Sequence, residues 1–403
     1  MRTDTPSGHM TPIRSVQRRS RDREFYFCRP NRFSIERFAS PKNLKSAWNF
    51  LKHNGGQAPG VDDAKFTDLI GRDFWKLIKM ASESIVSGTY RPEPVKTVRT
   101  PKGDGRFREL SIQTVLDRTI AKAFYDCFEK YWKSKIPNFH PCVRTIFRRL
   151  EEHIQRRDGH YILAIDDIRD CFPSTDNRAA LECQFEHFRD EKLRALAQQI
   201  ILGHEGQMNP VGIGQGSPYS PTVVEAFLHY RFDKAMKPDL SRWNTSLFRY
   251  VDNLPYLTSD FDVATRVIDR TREVLNEIGY DLKGKDGIVD LRENETQSLL
   301  GFIPKWNTSK DKLELRISDD AFSKLKESLE EANIQQAPID RVLRGWTNAY
   351  APAFDTVATD ELVGKLQQTL QKAGFGYFKR GKIKSYCDSA KRHLRNSLTG
   401  GRN

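Results

Sequence analysis

The chain has 403 residues and a net charge of +13, from 66 Lys and Arg against 53 Asp and Glu, long enough for two or three domains. That surplus is long-range attraction for a polyanion and not a requirement of any fold. A mean hydropathy of −0.65 and the lack of any apolar run near 18 residues exclude a membrane-spanning helix. The start, MRTDTPSGHMTPIRSVQRRSRDRE, has no apolar core and is not a secretory signal. Cys28, Cys127, Cys142, Cys171, Cys183 and Cys387 show no CxxC and no paired Cys/His spacing. Neither a zinc site nor a disulfide framework is expected, and a reducing cytoplasm is the expected setting.

Residues 1–40 carry Arg2, Arg14, Arg18, Arg19, Arg21 and Arg23 with little apolar content, either a disordered tail or a basic arm that folds on nucleic acid. Pro41 to Lys52 is predicted helical, with Leu44, Trp48 and Leu51 on one face. A Gly/Pro-rich loop, HNGGQAPGVDD, follows. PVKTVRTPKGDGRFREL is predicted to form two strands joined by a turn at 102–105, with Lys102 and Arg108 on either side. Those two cations either face a triphosphate together or belong to a solvated basic hairpin. Ile120, Phe124, Phe128 and Tyr131 recur at helical spacing and are expected in the core.

NFHPCVRTIFRRLEEHIQRR is a loop leading into a basic amphipathic helix. In GIGQGSPYSP, Gly214 and Gly216 permit close backbone approach to a ligand, and Pro221 suits a first helical turn. Beyond Asp319 the pattern is helical: Phe322, Leu325 and Leu329 share a face, and Ile339, Val342, Leu343, Trp346 and Tyr350 form a stripe ending near Pro352. Leu362, Leu366 and Leu370 mark a third helix stopped near Gly374. The tail sets Phe375, Tyr377, Phe378 and Tyr386 among many Lys and Arg, a composition suited either to stacking on nucleic acid or to a solvated basic helix.

Two acidic stretches carry the chemistry. In YILAIDDIRDCFPSTD a mainly apolar run passes straight into Asp166-Asp167, so a buried strand ends on carboxylates. In SLFRYVDNLPYL two apolar runs flank Asp252-Asn253, a pair suited to a tight hairpin turn. Taken alone, the second stretch is equally well a surface hairpin. Two strands ending in acids within one basic chain point to divalent metal and a polyanion. Metal pairs about 3.5–4 Å apart serve in-line phosphoryl displacement, and Mg²⁺ favours carboxylates plus substrate phosphates.

Seven stretches in order resemble the reverse transcriptases, specifically the bacterial group II intron-like lineage, over roughly residues 40–350. DIRDCFPSTD is similar to that lineage's DIKGCFDSID, GIGQGSPYSP to LPQGSPLSP, RYVDN to the YADD box and SLLGF to FLGF. PKGDGRFREL resembles PKKDGKLRPL, FHPCVRT resembles FRPGRS, and LRGWTNAY resembles the start of the helical thumb. The resemblance implies an α+β right-hand polymerase: fingers, a palm with an antiparallel sheet, and a helical thumb. In residues this is a basic extension at 1–40, fingers at 41–160, palm at 161–305 with a finger-side insertion at 176–207, and thumb plus basic tail at 306–403.

The resemblance also implies roles. Asp167 and Asp252 would be the catalytic acids and bind two Mg²⁺, with the Ile168 carbonyl as a further ligand. Asp167 is preferred to Asp166 because it is in register with Ile168, Cys171 and Phe172. Lys102, Arg108, Asp170, Phe172, Gln215, Gly216 and Lys285 would contact the dNTP, Phe172 as a steric gate against a 2′-OH. Lys283 is an alternative to Lys285. Tyr250, Asn253, Arg144 and Trp346 would lie along primer and template. The sequence departs from the pattern at Asn253, Asp170, Pro173, His140 and Cys142; at Asn253 an amide replaces an acid and removes one negative charge.

The implied activity is RNA-directed DNA synthesis on a structured, neighbouring non-coding RNA, giving cDNA, in the bacterial cytoplasm. VTG and NAxxH stretches are missing and QGSPxSP is intact, which leaves similarity to stand-alone reverse transcriptases of antiviral (phage) defence. The alternatives are a maturase-like RNA-binding protein without polymerase chemistry, and a protein-primed or template-independent DNA polymerase of abortive-infection type. No membrane partner is expected, and the sequence leaves the oligomeric state open.

Overall fold

A computed structural model describes residues 34–101, 107–157, 159–203, 211–284, 287–293, 297–334 and 338–399. The chain forms two compact units, one from Met1–Val98, Glu109–Phe139 and Asp176–Phe227, the other from Arg99–Arg108, His140–Thr175 and Leu228–Asn403. Strands β1 (Lys96–Pro101) and β2 (Phe107–Ile112) make a two-stranded sheet; the predicted turn at 102–105 lies outside the described residues.

The first unit is largely helical. Helix Pro41–Asn54 buries Leu44, Trp48 and Leu51, as their spacing requires. Phe124 and Phe128 of helix Val115–Lys135 pack their rings against Phe188. Tyr131 is not the last core residue of that stripe. It is only half-buried and bonds His187 at 2.7 Å, while Trp132, one position on, is fully buried. The Gly/Pro-rich loop is held from within, because the buried Arg118 donates to the Gly56 and Ala58 carbonyls, each at 2.8 Å.

The second unit is built on a four-stranded antiparallel sheet, order β4-β5-β3-β6. Its strands are β3 (Ile162–Asp167), β4 (Ser246–Leu247), β5 (Asn253–Thr258) and β6 (Gly287–Asp290). Alternation along β3 decides its two faces. Leu163 and Ile165 join a core that includes Ile146, Phe147 and Leu150 of helix Val143–Arg156. Ala164 pairs with Tyr256, whose hydroxyl meets Thr271 of helix Phe261–Glu277 at 2.7 Å, so the opposite face packs under that helix.

Strands β7 (Phe302–Asn307) and β8 (Lys312–Ile317) extend the core with alternating buried positions. Helices Asp319–Ile334, Ile339–Tyr350, Thr359–Lys372 and Arg380–Thr399 complete it. The expected helical stripes lie inward, with Leu325, Leu329, Leu343, Leu362, Leu366 and Leu370 buried. The tail aromatics do not form a stacking surface: Phe375, Phe378 and Tyr386 are buried in this core, and only Tyr377 is exposed. Burying three rings removes far more apolar area from water than stacking on an open surface would.

Beside the sheet, His153 faces His160 at 3.3 Å and packs edge-on to Phe248, while His160 meets Asn244 at 3.1 Å. Burial, then the neighbouring His160 and Arg157, holds the His153 imidazole down at about 4. A base whose folded pKa is depressed favours folding at neutral pH, and that contribution declines as pH drops from the ordinary 6.5 toward 4. The thermal midpoint should therefore decline over this interval, and His153→Gln should shrink the decline. An equal decline in the variant would place the acid sensitivity elsewhere.

Candidate active site

Period-two alternation separates the adjacent acids at the end of β3. Asp166 shares the face of Ala164, under the helix, and is buried. Its Oδ1 accepts the Asp167 N–H at 2.7 Å. Asp167 takes the other side and is only half-buried. It lies opposite Asn253 in the β3–β5 register, and the Ile168 N–H donates to the Asp252 carbonyl at 2.9 Å. Two acids 85 positions apart in the chain, Asp167 and Asp252, are thus joined by sheet pairing.

The hairpin turn is one residue earlier than predicted. Tyr250 and Asn253 exchange both backbone hydrogen bonds at 2.9 Å, so the loop residues are Val251 and Asp252, and Asn253 is already in β5. Val251 has φ +54°, in the left-handed region where a β-branched residue costs about 1–3 kcal/mol. The shift leaves the Asn253 side chain beside its neighbour, with Nδ2 donating to Asp252 Oδ1 at 3.2 Å.

Lys283 closes the corner. Its N–H donates to the Asp167 carbonyl at 2.8 Å and its Nζ to Asp167 Oδ2 at 2.6 Å. Between the two lysines weighed from the sequence, the structure brings Lys283 to the acids, whereas Lys285 lies outside the described residues. Burial, and then the charge of Asp167, pushes the Asp252 carboxyl up. Asp167 Oδ1 is buried with no hydrogen-bond partner among the described residues. No cluster of three or more His, Cys, Asp or Glu suited to a metal occurs among the described residues. The available donors are two carboxylates and one carbonyl, all hard oxygens of the kind Mg²⁺ takes alongside phosphate.

Other candidates fall in varied places. Asp170 has φ +44° and starts the short helix Cys171–Ser174, which leaves Phe172 half-buried. Tyr250 is half-buried against the core. Arg144 donates to the Leu394 carbonyl at 3.2 Å. Trp346 is not free to meet a primer: it is buried, stacks near Phe322, and donates its indole N–H to the Ala321 carbonyl at 3.2 Å. Arg108 is exposed on β2 and Lys102 lies outside the described residues.

Gln215 and Gly216 belong to the first unit. The Gln215 carbonyl accepts the Ser111 N–H at 2.7 Å. Gly216, at φ +131°, lies so close to β2 that a Cβ would come 2.6 Å from the Ser111 carbonyl oxygen. Within this unit the close approach made by the glycine is thus to β2. A cavity of about 520 Å³ opens beside it, lined by Phe50, Tyr125, Leu110, Ile112, Lys122 and Gly216 among others.

One pair went unread in the sequence. Arg249 is buried and grips Asp233 with Nε and Nη2, both at 2.8 Å. An Arg directly before the Tyr of the hairpin box was the available signal.

An antiparallel sheet that joins two acids at a hairpin, within an α+β chain, defines the right-hand polymerase class. Residues 100–285, just under half of the chain, match the family described as reverse transcriptase (RNA-dependent DNA polymerase). Protein YkfC of Escherichia coli (strain K12) is 26% identical over 223 residues, covering 49% of this chain and 58% of YkfC. The chain thus spans little more than half the length of that relative. Among solved structures, telomerase from Candida albicans in complex with a TWJ fragment of telomeric RNA gives a TM-score of 0.42 at 11% identity, covering 74% of this chain and 63% of the other. Apo telomerase from Candida tropicalis gives 0.40 at 14% identity, covering 60% and 59%.

Gly216→Ala should lower stability by about 1–3 kcal/mol through clash and backbone strain. Gly345, in the helix Ile339–Tyr350, has no atom within 4 Å of an added Cβ, and Gly345→Ala should raise stability by about 0.5–1 kcal/mol. Thermal unfolding of both variants checks the contrast. Equal behaviour would show that contact with Ser111 is not what demands glycine at 216.

Proposed function

We propose that the protein is an RNA-directed DNA polymerase that copies a structured, neighbouring non-coding RNA into cDNA. The observation that carries this reading is the meeting of Asp167 and Asp252 at the β3–β5 junction, with Asp252 raised by burial and by the Asp167 charge. In this reading the sheet is the palm, the helices after Asp319 are the thumb, and Asp167, Asp252 and the Ile168 carbonyl would hold two Mg²⁺. Bound there, the ions supply charge stabilisation for in-line phosphoryl transfer. The chain's own residues do the positioning. Sheet pairing fixes the spacing of the two acids, Lys283 neutralises Asp167, and the Asn253 amide orients Asp252.

Phe172, half-buried in the short helix after β3, is assigned to lie under the sugar of an incoming dNTP and disfavour a 2′-OH. Lys102 and Arg108 are assigned to the triphosphate, with Asp170 and Lys285 near the nucleotide. Gln215 and Gly216 are assigned to the nascent base pair, and Tyr250 and Arg144 to the primer–template. The likeness of the motif set to stand-alone bacterial reverse transcriptases supports a cytoplasmic role in antiviral defence. Asn253 gives the maturase-like alternative its support, since an amide stands where the family carries an acid.

Purified protein with its co-purifying RNA, dNTPs and Mg²⁺ should make cDNA, and Asp167→Asn or Asp252→Asn should abolish synthesis. Wild type without product, under conditions where Asn253→Asp is active, would favour RNA binding alone. Phe172→Ala should improve ribonucleotide use at least tenfold relative to dNTP, about 1.4 kcal/mol in selectivity. Unchanged selectivity would remove the steric assignment.

A further inference from the structure

The hairpin that presents Asp252 has a conformational problem. In its two-residue loop only the first position, Val251, has positive φ, the position where such a hairpin ordinarily takes glycine. Valine is a poor occupant because its branched Cβ crowds the backbone there. Something outside the loop must hold it, and the buried pair next door has the right geometry. Arg249 uses Nε and Nη2 on the two Asp233 oxygens and has Nη1 left to donate to the Val251 carbonyl at 3.3 Å.

Asp233 is itself placed by a backbone irregularity. It ends a π-helical segment, His229–Asp233, between the helices Ser220–Leu228 and Lys234–Arg242. An extra residue in a turn rotates the rest of the helix by about 100° relative to a continuous α-helix. His229 Nδ1 also approaches Asp233 Oδ2 at 3.5 Å. Arg249 is therefore a planar fork that grips Asp233 along one edge and reaches the strained turn with Nη1.

We infer that Arg249, anchored by Asp233, is a positioning residue for the active site: its bond to the Val251 carbonyl keeps the loop in the left-handed conformation that sets where Asp252 presents its carboxylate. The inference rests on the polymerase reading for its catalytic consequence, but its structural content stands apart from that reading. A lysine at 249 keeps the charge toward Asp233 and lacks the fork, so it cannot serve both partners at once.

The test is rescue. Arg249→Lys should lower kcat for DNA synthesis about tenfold or more with little change in the dNTP KM. Val251→Gly provides the reference, since glycine adopts the turn unaided. In Val251→Gly the same Arg249→Lys change should cost less than about threefold. Hydrogen exchange provides a readout independent of catalysis. The Tyr250 and Asn253 amides, which close the hairpin, should exchange about tenfold faster in Arg249→Lys and return in the double variant, with β3 amides unchanged.

If Arg249→Lys does not fold, Asp233→Asn tests the same anchor by the same rescue. A double variant as impaired as Arg249→Lys would overturn the inference and make the pair a general brace of the fold. Unchanged exchange at Tyr250 and Asn253 would overturn it as well. Restored exchange in a chain that makes no DNA even as wild type would count against the polymerase reading alone.

Discussion

The second unit turns on the bond from the Ile168 N–H to the Asp252 carbonyl, which ties the end of β3 to the hairpin loop. Through it two carboxylates occupy one half-buried corner, where like charges repel and water is too scarce to screen them fully. The surrounding structure answers that repulsion locally. Lys283 arrives on the segment before β6 and contacts Asp167 twice, once through its backbone and once through its ammonium. The Asn253 amide offers a donor to Asp252. Asp166, which would add a third charge, is turned away by the alternation of the strand to the face packed under the helix. The corner is thus a place where the fold collects negative charge and restrains it with few partners.

Much of this was legible in the sequence because it follows from periodicity. An apolar run that stops on Asp-Asp announces a buried strand with a polar end, whereas the preference for Asp167 over Asp166 came from the family resemblance, and the strand's alternation turns Asp166 inward. The C-terminal stripes at helical spacing are core helices for the same reason. What failed to show were features set by tertiary contact. The turn register hinged on Val251 taking a conformation that residue propensity argues against, with the neighbouring Arg249 bonded to its carbonyl. The tail aromatics looked like a stacking surface because a helix mixing rings and cations has two readings, and burial in a shared core decided for packing. Trp346 was misplaced similarly: a motif residue near a proposed substrate path is also a stripe residue, and the stripe prevailed.

Gly216 and Gly301 show the same limit from the other side. Gly216 was legible as a point of close approach, but not what approaches: the partner is the backbone of Ser111. Gly301, at φ +83° in the SLLGF stretch, leaves no room for a Cβ because the Tyr350 hydroxyl would stand 2.5 Å away. Both glycines mark tight packing within a unit. A glycine in a familiar motif therefore carries two kinds of information, and sequence alone does not separate them.

The replacement of an acid by Asn253 acts through charge and not through shape. An amide matches a carboxylate in size and retains hydrogen bonding, but it donates where an acid only accepts. With aspartate at 253 the corner would hold Asp167, Asp252 and a third carboxylate beside Lys283. With asparagine it holds two acids and, among the described residues, the paired Lys283, and the amide N–H is directed at Asp252 Oδ1. The free corner is then closer to electroneutrality and its acids are held by bonds from within the chain. Such a site needs less outside charge to stay folded, while the long-range attraction for phosphate comes from the +13 surplus spread over the whole polymer. In the polymerase reading, restraint of the acids and long-range attraction for a polyanion rest on different residues, the first on Lys283 and Asn253 and the second on the charge surplus of the whole chain.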